Sequence, residues 1–356
     1  SQLCNNIVGV FGAGKAFVNW GDCNFIGSLT EVSQDEGYWV IINTPPATLY
    51  IEDAVPVSYD TDGQVVYNMH YGNNLISYPF QTDQLLDDAL GDAAASVYAL
   101  SGEGMAAMNT ENGWVGSLIA FEGGHGYWLF TSAGFVFTFN GIESSLAKIA
   151  QQPAIRPVPE VHSFEQSSRQ AFYFIESATI QGQLLDEEDI IIAYNGDVVV
   201  GARYWNGEYT DVPAMGMDGY VDAHGYCVAG DKVTFKVLDN SSNELIHMQA
   251  DSETIWQDIA VSVINLTEVL PEAFRLDRAY PNPFNPATTL SFALPLESDV
   301  SITIYNLQGR QVTTLIDGNM TAGYHSVVWN ADNHSSGVYF VKMIAGEYVN
   351  TQKLML

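Results

Sequence analysis

The stretches GSLTEVSQDEGYW (27–39) and GSLIAFEGGHGYW (116–128) spell one phrase twice: Gly-Ser-Leu, seven variable residues, Gly-Tyr-Trp. The likeness extends upstream, where IVGVFGAGKA (7–16) lines up with VYALSGEGMA (97–106) through a shared Gly-x-Gly. One residue of insertion separates the copies before Gly-Ser-Leu. A repeat unit of this size cannot bury its apolar face alone and needs a neighbour. We therefore expect one paired or continuous assembly over 1–148, with a first unit at 1–56 and a second at 57–148. The second unit carries a strand-like lead-in, NLISYPF (74–80), and a helix; the first carries neither, so it enters halfway through its unit. Together with an opening SQLCNN that lacks Met, this leads us to expect a processed or truncated amino end. Adjacent strand residues point to opposite faces. One ring of each Tyr-Trp pair should thus enter the core and the other should face outward.

Elsewhere, short β-rich runs separated by Gly, Asn, Asp and Pro dominate, including AFYFI (171–175), DIIIAY (189–194), VVVGARYW (198–205) and KVTFKVL (232–238). The fold class expected is mainly β: several small β modules with one short helix near 82–96. That helix, in TDQLLDDALGDAAASVYAL (82–100), has Thr82 as its expected N-cap and acids in its first turn. Asn195-Gly196, between two apolar runs, reads as a hairpin turn with positive φ at both positions. IAQQPAIRPVPEVH (149–162) reads as a Pro-containing linker, and 163–268 as a β-sandwich-like module.

Twelve Lys plus Arg against 42 Asp plus Glu leave a net charge of −30. There is no basic footprint for a phosphate backbone or an anionic membrane surface, so nucleic acid is not expected as a partner. No apolar run reaches the roughly 18 residues that span a bilayer, so no membrane span is expected. Of three cysteines, Cys4 and Cys23 could close a disulfide; three buried thiols is the competing reading.

Motifs that carry chemistry are scarce. No Gly-x-Ser-x-Gly elbow, HExxH or Walker-type loop occurs, and the Gly-x-Gly pairs lack a third glycine and a βαβ context. We expect no enzyme and no cofactor other than Ca²⁺. Loop acids could supply oxygen ligands at DTDG (60–63), through Asp60 and Asp62, and at DGYVD (218–222), through Asp218 and Asp222. Neither completes an EF-hand spacing, and ordinary Asp-Gly turns explain both. Trp39, Trp128 and Trp205 are the candidates for partner or sugar contact, against a packing role in the core or between repeats.

The carboxyl end is the most specific part of the chain. YPNPFNPATTLSFALP (280–295) leads into VSITIYNLQGRQV (300–312), AGYHSVVWN (322–330), SGVYFVKM (336–343) and QKLML (352–356). Pro281, Pro283 and Pro286 suggest an extended lead-in. Val327 and Trp329 should alternate inward, as should Val338, Phe340 and Lys342. This run of markers resembles the carboxy-terminal sorting domain of the type IX secretion system. The resemblance implies a small immunoglobulin-like sandwich at 272–356, handling by that secretion machinery, and a secreted or outer-surface location. The tandem GSL…GYW units also resemble modules of large secreted proteins with such a tail.

From these readings we expect a secreted, non-catalytic structural or adhesive protein that associates with its own copies as an oligomer, filament or layer. The alternative is a carbohydrate-binding accessory region of a larger glycan-degrading enzyme, with a surface glycan as partner.

Overall fold

The computed structural model describes residues 6–22, 24–42, 65–141, 154–219 and 224–356. The chain forms two compact units, Ser1–Thr267 and Glu268–Leu356. Both are built almost wholly of antiparallel strands.

The first repeat is a four-stranded sheet of β1 (Ile7–Gly12), β2 (Lys15–Asn19), β3 (Phe25–Gly27) and β4 (Trp39–Ile42), in the order β3-β2-β1-β4. The second repeat opens with β5 (Tyr67–Met69), β6 (Gly72–Ser77) and β7 (Gln84–Leu85). A short helix α1 (Leu86–Leu90) continues as a 3₁₀ turn over Gly91–Ser96. Then come β8 (Val97–Ser101), β9 (Ala106–Thr110), β10 (Gly113–Gly116), β11 (Ala120–Phe121), β12 (Gly126–Thr131) and β13 (Phe135–Phe137). Its main sheet runs β10-β9-β8-β12-β6, which is the first repeat's order plus one strand, β6. Thr82 does not cap the helix: Leu85 precedes it, with no side-chain cap. Gln84 and Leu85 are drawn instead into a two-residue ladder with Phe121 and Ala120, so tertiary pairing overrides the local capping signal.

The third module is one curled sheet. β14 (Gln170–Ile180), β15 (Gln183–Leu184), β16 (Ile190–Asn195), β17 (Val198–Tyr204), β18 (Thr210–Met215), β19 (Val233–Asp239), β20 (Glu244–Ala250) and β21 (Ala260–Glu268) follow in sequence. The ladder β15-β14-β21-β20-β19-β16-β17 closes back through β18, which pairs with β14. β17 also presses against β18 at Gly201, where a Cβ would overlap the Pro213 carbonyl. Inside the curl lies a core that includes Tyr173, Ile175, Ile191, Phe235, Trp256 and Leu266. The β16–β17 hairpin is a correction to the sequence reading. Asn195 pairs with Val198, so the turn is Gly196-Asp197 and only Gly196 has positive φ. Asn195 stays in the strand because its amide is held by Gly225 O and Asp231. Residues 154–162 lie against this sheet: Arg156 grips Glu188 with two bonds and stacks on Tyr204.

The carboxy-terminal unit has seven strands in two sheets. β22 (Arg275–Leu276), β23 (Ala287–Leu294) and β26 (Gly323–Asn330) form one sheet, and β25 (Gln311–Met320), β24 (Ser298–Asn306), β27 (Val338–Ala345) and β28 (Tyr348–Met355) the other. Leu290, Phe292, Ile302, Ile304, Trp329, Val341 and Met343 fill the space between them. In β27 the inward set is Tyr339, Val341, Met343 and Ala345, one residue out of phase with the expected Val338, Phe340 and Lys342. A slip of one residue exchanges the faces, and the half-buried Phe340 disguises the true phase.

Candidate functional site

The repeated phrase is a set of matched structural contacts. In each copy the first Gly of Gly-x-Gly lies under a Tyr ring. A Cβ at Gly12 would sit 3.2 Å from Tyr38, and one at Gly102 would sit 3.3 Å from Tyr127. Each Tyr hydroxyl accepts from a backbone N–H five residues upstream, Ser33 to Tyr38 at 2.9 Å and Glu122 to Tyr127 at 2.8 Å. Each Gly-Ser-Leu leucine donates its N–H at 3.0 Å to an alanine carbonyl, Leu29 to Ala16 and Leu118 to Ala106. Tyr127 is core and Trp128 lies half-buried on the opposite face; Tyr38 and Trp39 are both half-buried. The two copies also meet through their own signature. A Cβ at Gly126 would lie 3.2 Å from Gly37 Cα, and one at Gly37 would lie 2.6 Å from Ile76 O. Gly37 N–H donates at 3.2 Å to Leu75 O, on the edge of β6 that β12 leaves open. Only glycine allows backbones to approach this closely.

The second repeat is then fastened to the curled sheet by a buried polar cluster. Asp211, 2% exposed, stands beside Phe174 on the outer face of that sheet. Its carboxylate accepts from Ala106 N (3.1 Å), Ser117 N (2.9 Å), Ser117 Oγ (2.6 Å) and Arg203 Nη2 (3.3 Å). Arg203, 7% exposed, also donates to Gly104 O at 2.7 Å and to Asp211 O at 3.0 Å. Gln170 completes the junction as a peptide mimic, donating to Gly102 O (2.6 Å) and accepting from Gly104 N (3.2 Å). Phe172 and Phe174 pack on Ala106 and Met108 beside it. Burial raises the Asp211 pKa, opposed by the Arg203 charge and the Ser117 and Ala106 bonds. All four partners donate to it. An Asp in the apolar run TDVPAM (210–215) was the one sequence signal for this junction, and only the fold supplies its partners.

Next to the junction opens a cleft of about 480 Å³, lined among others by Arg156, Glu187, Tyr204, Asn206, Glu208 and Tyr209. Trp205 reaches it from within the core and is 5% exposed, so it is a packing residue with one edge on the cleft. Trp39, Trp128 and Trp205 are not brought together as one platform: Trp39 and Trp128 belong to different sheets, and Trp205 lies in the curled-sheet core.

Asp60, Asp62, Asp222, Cys4 and Cys23 lie outside the described residues. Asp218 accepts from Ser168 N and Oγ, both at 3.0 Å, as a loop-bracing carboxylate does. Among the described residues no cluster of three or more His, Cys, Asp or Glu could hold a metal ion. Cys227 is a buried thiol in the curled-sheet core, its pKa pushed up to about 12 by burial and by Asp231.

In the carboxy-terminal unit the proline-rich lead-in is not an extended strand. It bends so that Tyr280 pairs with Thr289 and Asn282 reaches the outer edge of β28. There the Asn282 amide donates to Lys353 O (2.9 Å) and accepts from Met355 N (3.0 Å), while Phe284 N–H donates to Met355 O (3.0 Å). The asparagine thus replaces a missing neighbouring strand, and Phe284 packs against Trp329. The family model of the secretion system C-terminal sorting domain matches residues 278–356, which hold six of this unit's seven strands, β23 to β28. Residues 278–356 are a type IX sorting domain. Such a sorting domain marks secreted and cell-surface proteins, and the protein is one of them. Among the described residues no helix is long and apolar enough to cross a membrane. No curated protein matches the chain. The crystal structure of dimeric latent PorU from Porphyromonas gingivalis aligns with 80% of the chain at 11% identity and a TM-score of 0.20, and the chain covers 31% of that protein.

Proposed function

We propose that the protein is a non-catalytic structural or adhesive element, exported through its sorting domain and displayed outside the cell, where copies associate. The observation that carries this reading is the junction. The chain's most elaborate buried polar cluster, Arg203–Asp211 with Ser117 and Gln170, spends its hydrogen bonds on fastening one module to the next. Repeat signatures are likewise spent on packing, through Gly37 against Gly126 and the two Tyr hydroxyls on backbone. Rigidly joined β modules suit load-bearing or adhesive display. Sedimentation velocity and negative-stain microscopy of the purified chain test the association; a single monomeric species up to high concentration refutes it.

One observation favours carbohydrate binding instead: the cleft beside the junction carries Tyr204, Tyr209, Asn206 and Glu208. Aromatic faces with adjacent amide and carboxylate groups suit a sugar ring. Because Trp205 is core, Trp205→Ala would lose packing as well as any contact, so Tyr209→Ala and Asn206→Ala are the informative variants. Glycan-array binding that survives both changes excludes this cleft as the sugar site.

A further inference from the structure

We infer that the outer face of the first repeat is a docking site for a module like the curled sheet, carried by another polypeptide and presenting a glutamine, an arginine–aspartate pair and adjacent aromatic rings. The basis is an internal duplication in which one copy shows what the other takes. In the second repeat the receiving groups are Gly102 O, Gly104 N and O, Ala106 N, and the N–H and hydroxyl of Ser117. The first repeat has the same residue at each position: Gly12, Gly14, Ala16 and Ser28.

The backbone matches as well. Gly14 and Gly104 have φ of 69° and 67°. Phe11 pairs with Ala16 as Ser101 pairs with Ala106, and the Leu29 and Leu118 bonds are both 3.0 Å. What differs is occupancy. In the second repeat Gly104 and Ala106 are buried and Ser117 is half-buried under the curled sheet; Gly14 and Ser28 are exposed. Ser28 N–H and the Gly14 carbonyl have no partner among the described residues. Among the described residues Ala16 N–H has only its own Ser28 hydroxyl at 3.4 Å, a long bond taken where the second repeat uses a carboxylate. Beside these groups stand Val18, in the place where Met108 meets the phenylalanines, and Ile26, 55% exposed.

The chain's own curled sheet does not fill this site, because its single Gln170–Arg203–Asp211 set is engaged by the second repeat. The occupant is therefore a second module of that chemistry. The docking site requires no polymer of this chain, so it does not depend on the association proposed above.

The test uses two full-length chains. The donor carries Ser117→Asp, which sets a second carboxylate against Asp211 and releases the curled-sheet face with its own residues unchanged. It also carries Ser28→Asp, which closes its own first repeat. The receptor is the wild-type chain, and the control receptor carries Ser28→Asp alone. We expect a one-to-one complex of donor with wild type by light scattering, and affinity at least ~10-fold weaker for the control receptor. A second donor with Gly116→Val in place of Ser117→Asp should behave alike, since a side chain there overlaps Ala106 O and the Phe174 ring. Donor folding is checked by amide-exchange protection of the curled sheet. No complex with a folded donor, or equal binding to the control receptor, overturns the inference. Loss of the curled sheet in both donors overturns it too, because a face that exists only on the second repeat cannot be offered to another.

Discussion

Replacing Asp211 by alanine removes the acceptor on which four donors converge. Arg203, with 9% of its side chain exposed, is left as a buried charge without its carboxylate. Breaking a buried ion pair from one side costs about 3–5 kcal/mol. Stranding the Ala106 and Ser117 donors adds on the order of 1–3 kcal/mol for each group that water cannot reach. Ser117 is half-buried and recovers part of this from solvent, so we expect a net loss of about 4 kcal/mol for Asp211→Ala. Urea unfolding of the full chain reads the loss, and amide exchange at Ala106 and Ser117 locates it. Two further variants separate the causes. Asp211→Ala with Arg203→Met should regain about 1–2 kcal/mol relative to the single change, because apolar replacement of a buried pair removes the stranded charge. Asp211→Ala and Ser117→Ala should couple by about 1 kcal/mol, as groups in one network do. A single-variant loss below about 1 kcal/mol, or strict additivity with Ser117→Ala, would refute the assignment of Asp211 as the clasp between modules.

Gly37→Ala should destabilise the contact between repeats by about 1–3 kcal/mol, since its Cβ would lie 2.6 Å from Ile76 O; thermal unfolding reads it, and a neutral effect would sink the close-approach account. Tyr127→Phe should cost about 1 kcal/mol by removing the acceptor for Glu122 N–H, seen as faster exchange of that amide. Asn282→Ala should free the end of β28, with faster exchange at Met355 and a loss of about 1–2 kcal/mol in the sorting domain. Asp251 is held below the usual carboxylate range by the Asn265 side chain and backbone N–H. Its contribution is present above the unfolded pKa near 4 and is lost as pH falls through the lower folded value, so Asp251→Asn should flatten the acid limb of a melting-temperature profile. Asp211 has the opposite sign: its folded pKa is raised, so its contribution is full below the unfolded pKa and declines as pH rises through the folded one. Mild acid should therefore leave the junction closed; its opening between pH 7 and 5, read by exchange at Ser117, would contradict that sign.

The repeat was legible because its cause is local. Gly-x-Gly, Gly-Ser-Leu and Gly-Tyr-Trp each mark a backbone approach or turn that only certain residues permit, and alternation puts Tyr127 and Trp128 on opposite faces. The sorting domain was legible for a related reason, as a dense order of Pro, Asn, Gly and alternating apolar residues over 280–356. Its strand phase at 338–345 was not, because Phe340 and Lys342 are half-buried and alternate as plausibly as Tyr339 and Val341. Asn195-Gly196 misled by one position because the Asn195 side chain has distant partners, Gly225 and Asp231. Of the junction, only the Asp in the apolar run TDVPAM could be seen in the sequence; its partners could not. Asp211 and Ser117 are joined across 94 residues, and Gln170 and Gly102 across 68. Nothing in the local sequence at either end names the residue at the other.

The clamp of Asn282 and Phe284 on β28 joins the opening of the sorting domain to its final strand. Leu276 is likewise held from that strand, by Tyr348 and Gln352. A domain whose first and last segments complete each other cannot close while its chain is still emerging, because the loop between them must form before the contacts repay it. Without β28 the lead-in would keep its sequence and lose the partners of Leu276, Asn282 and Phe284, so the two ends of the sandwich fold as one unit.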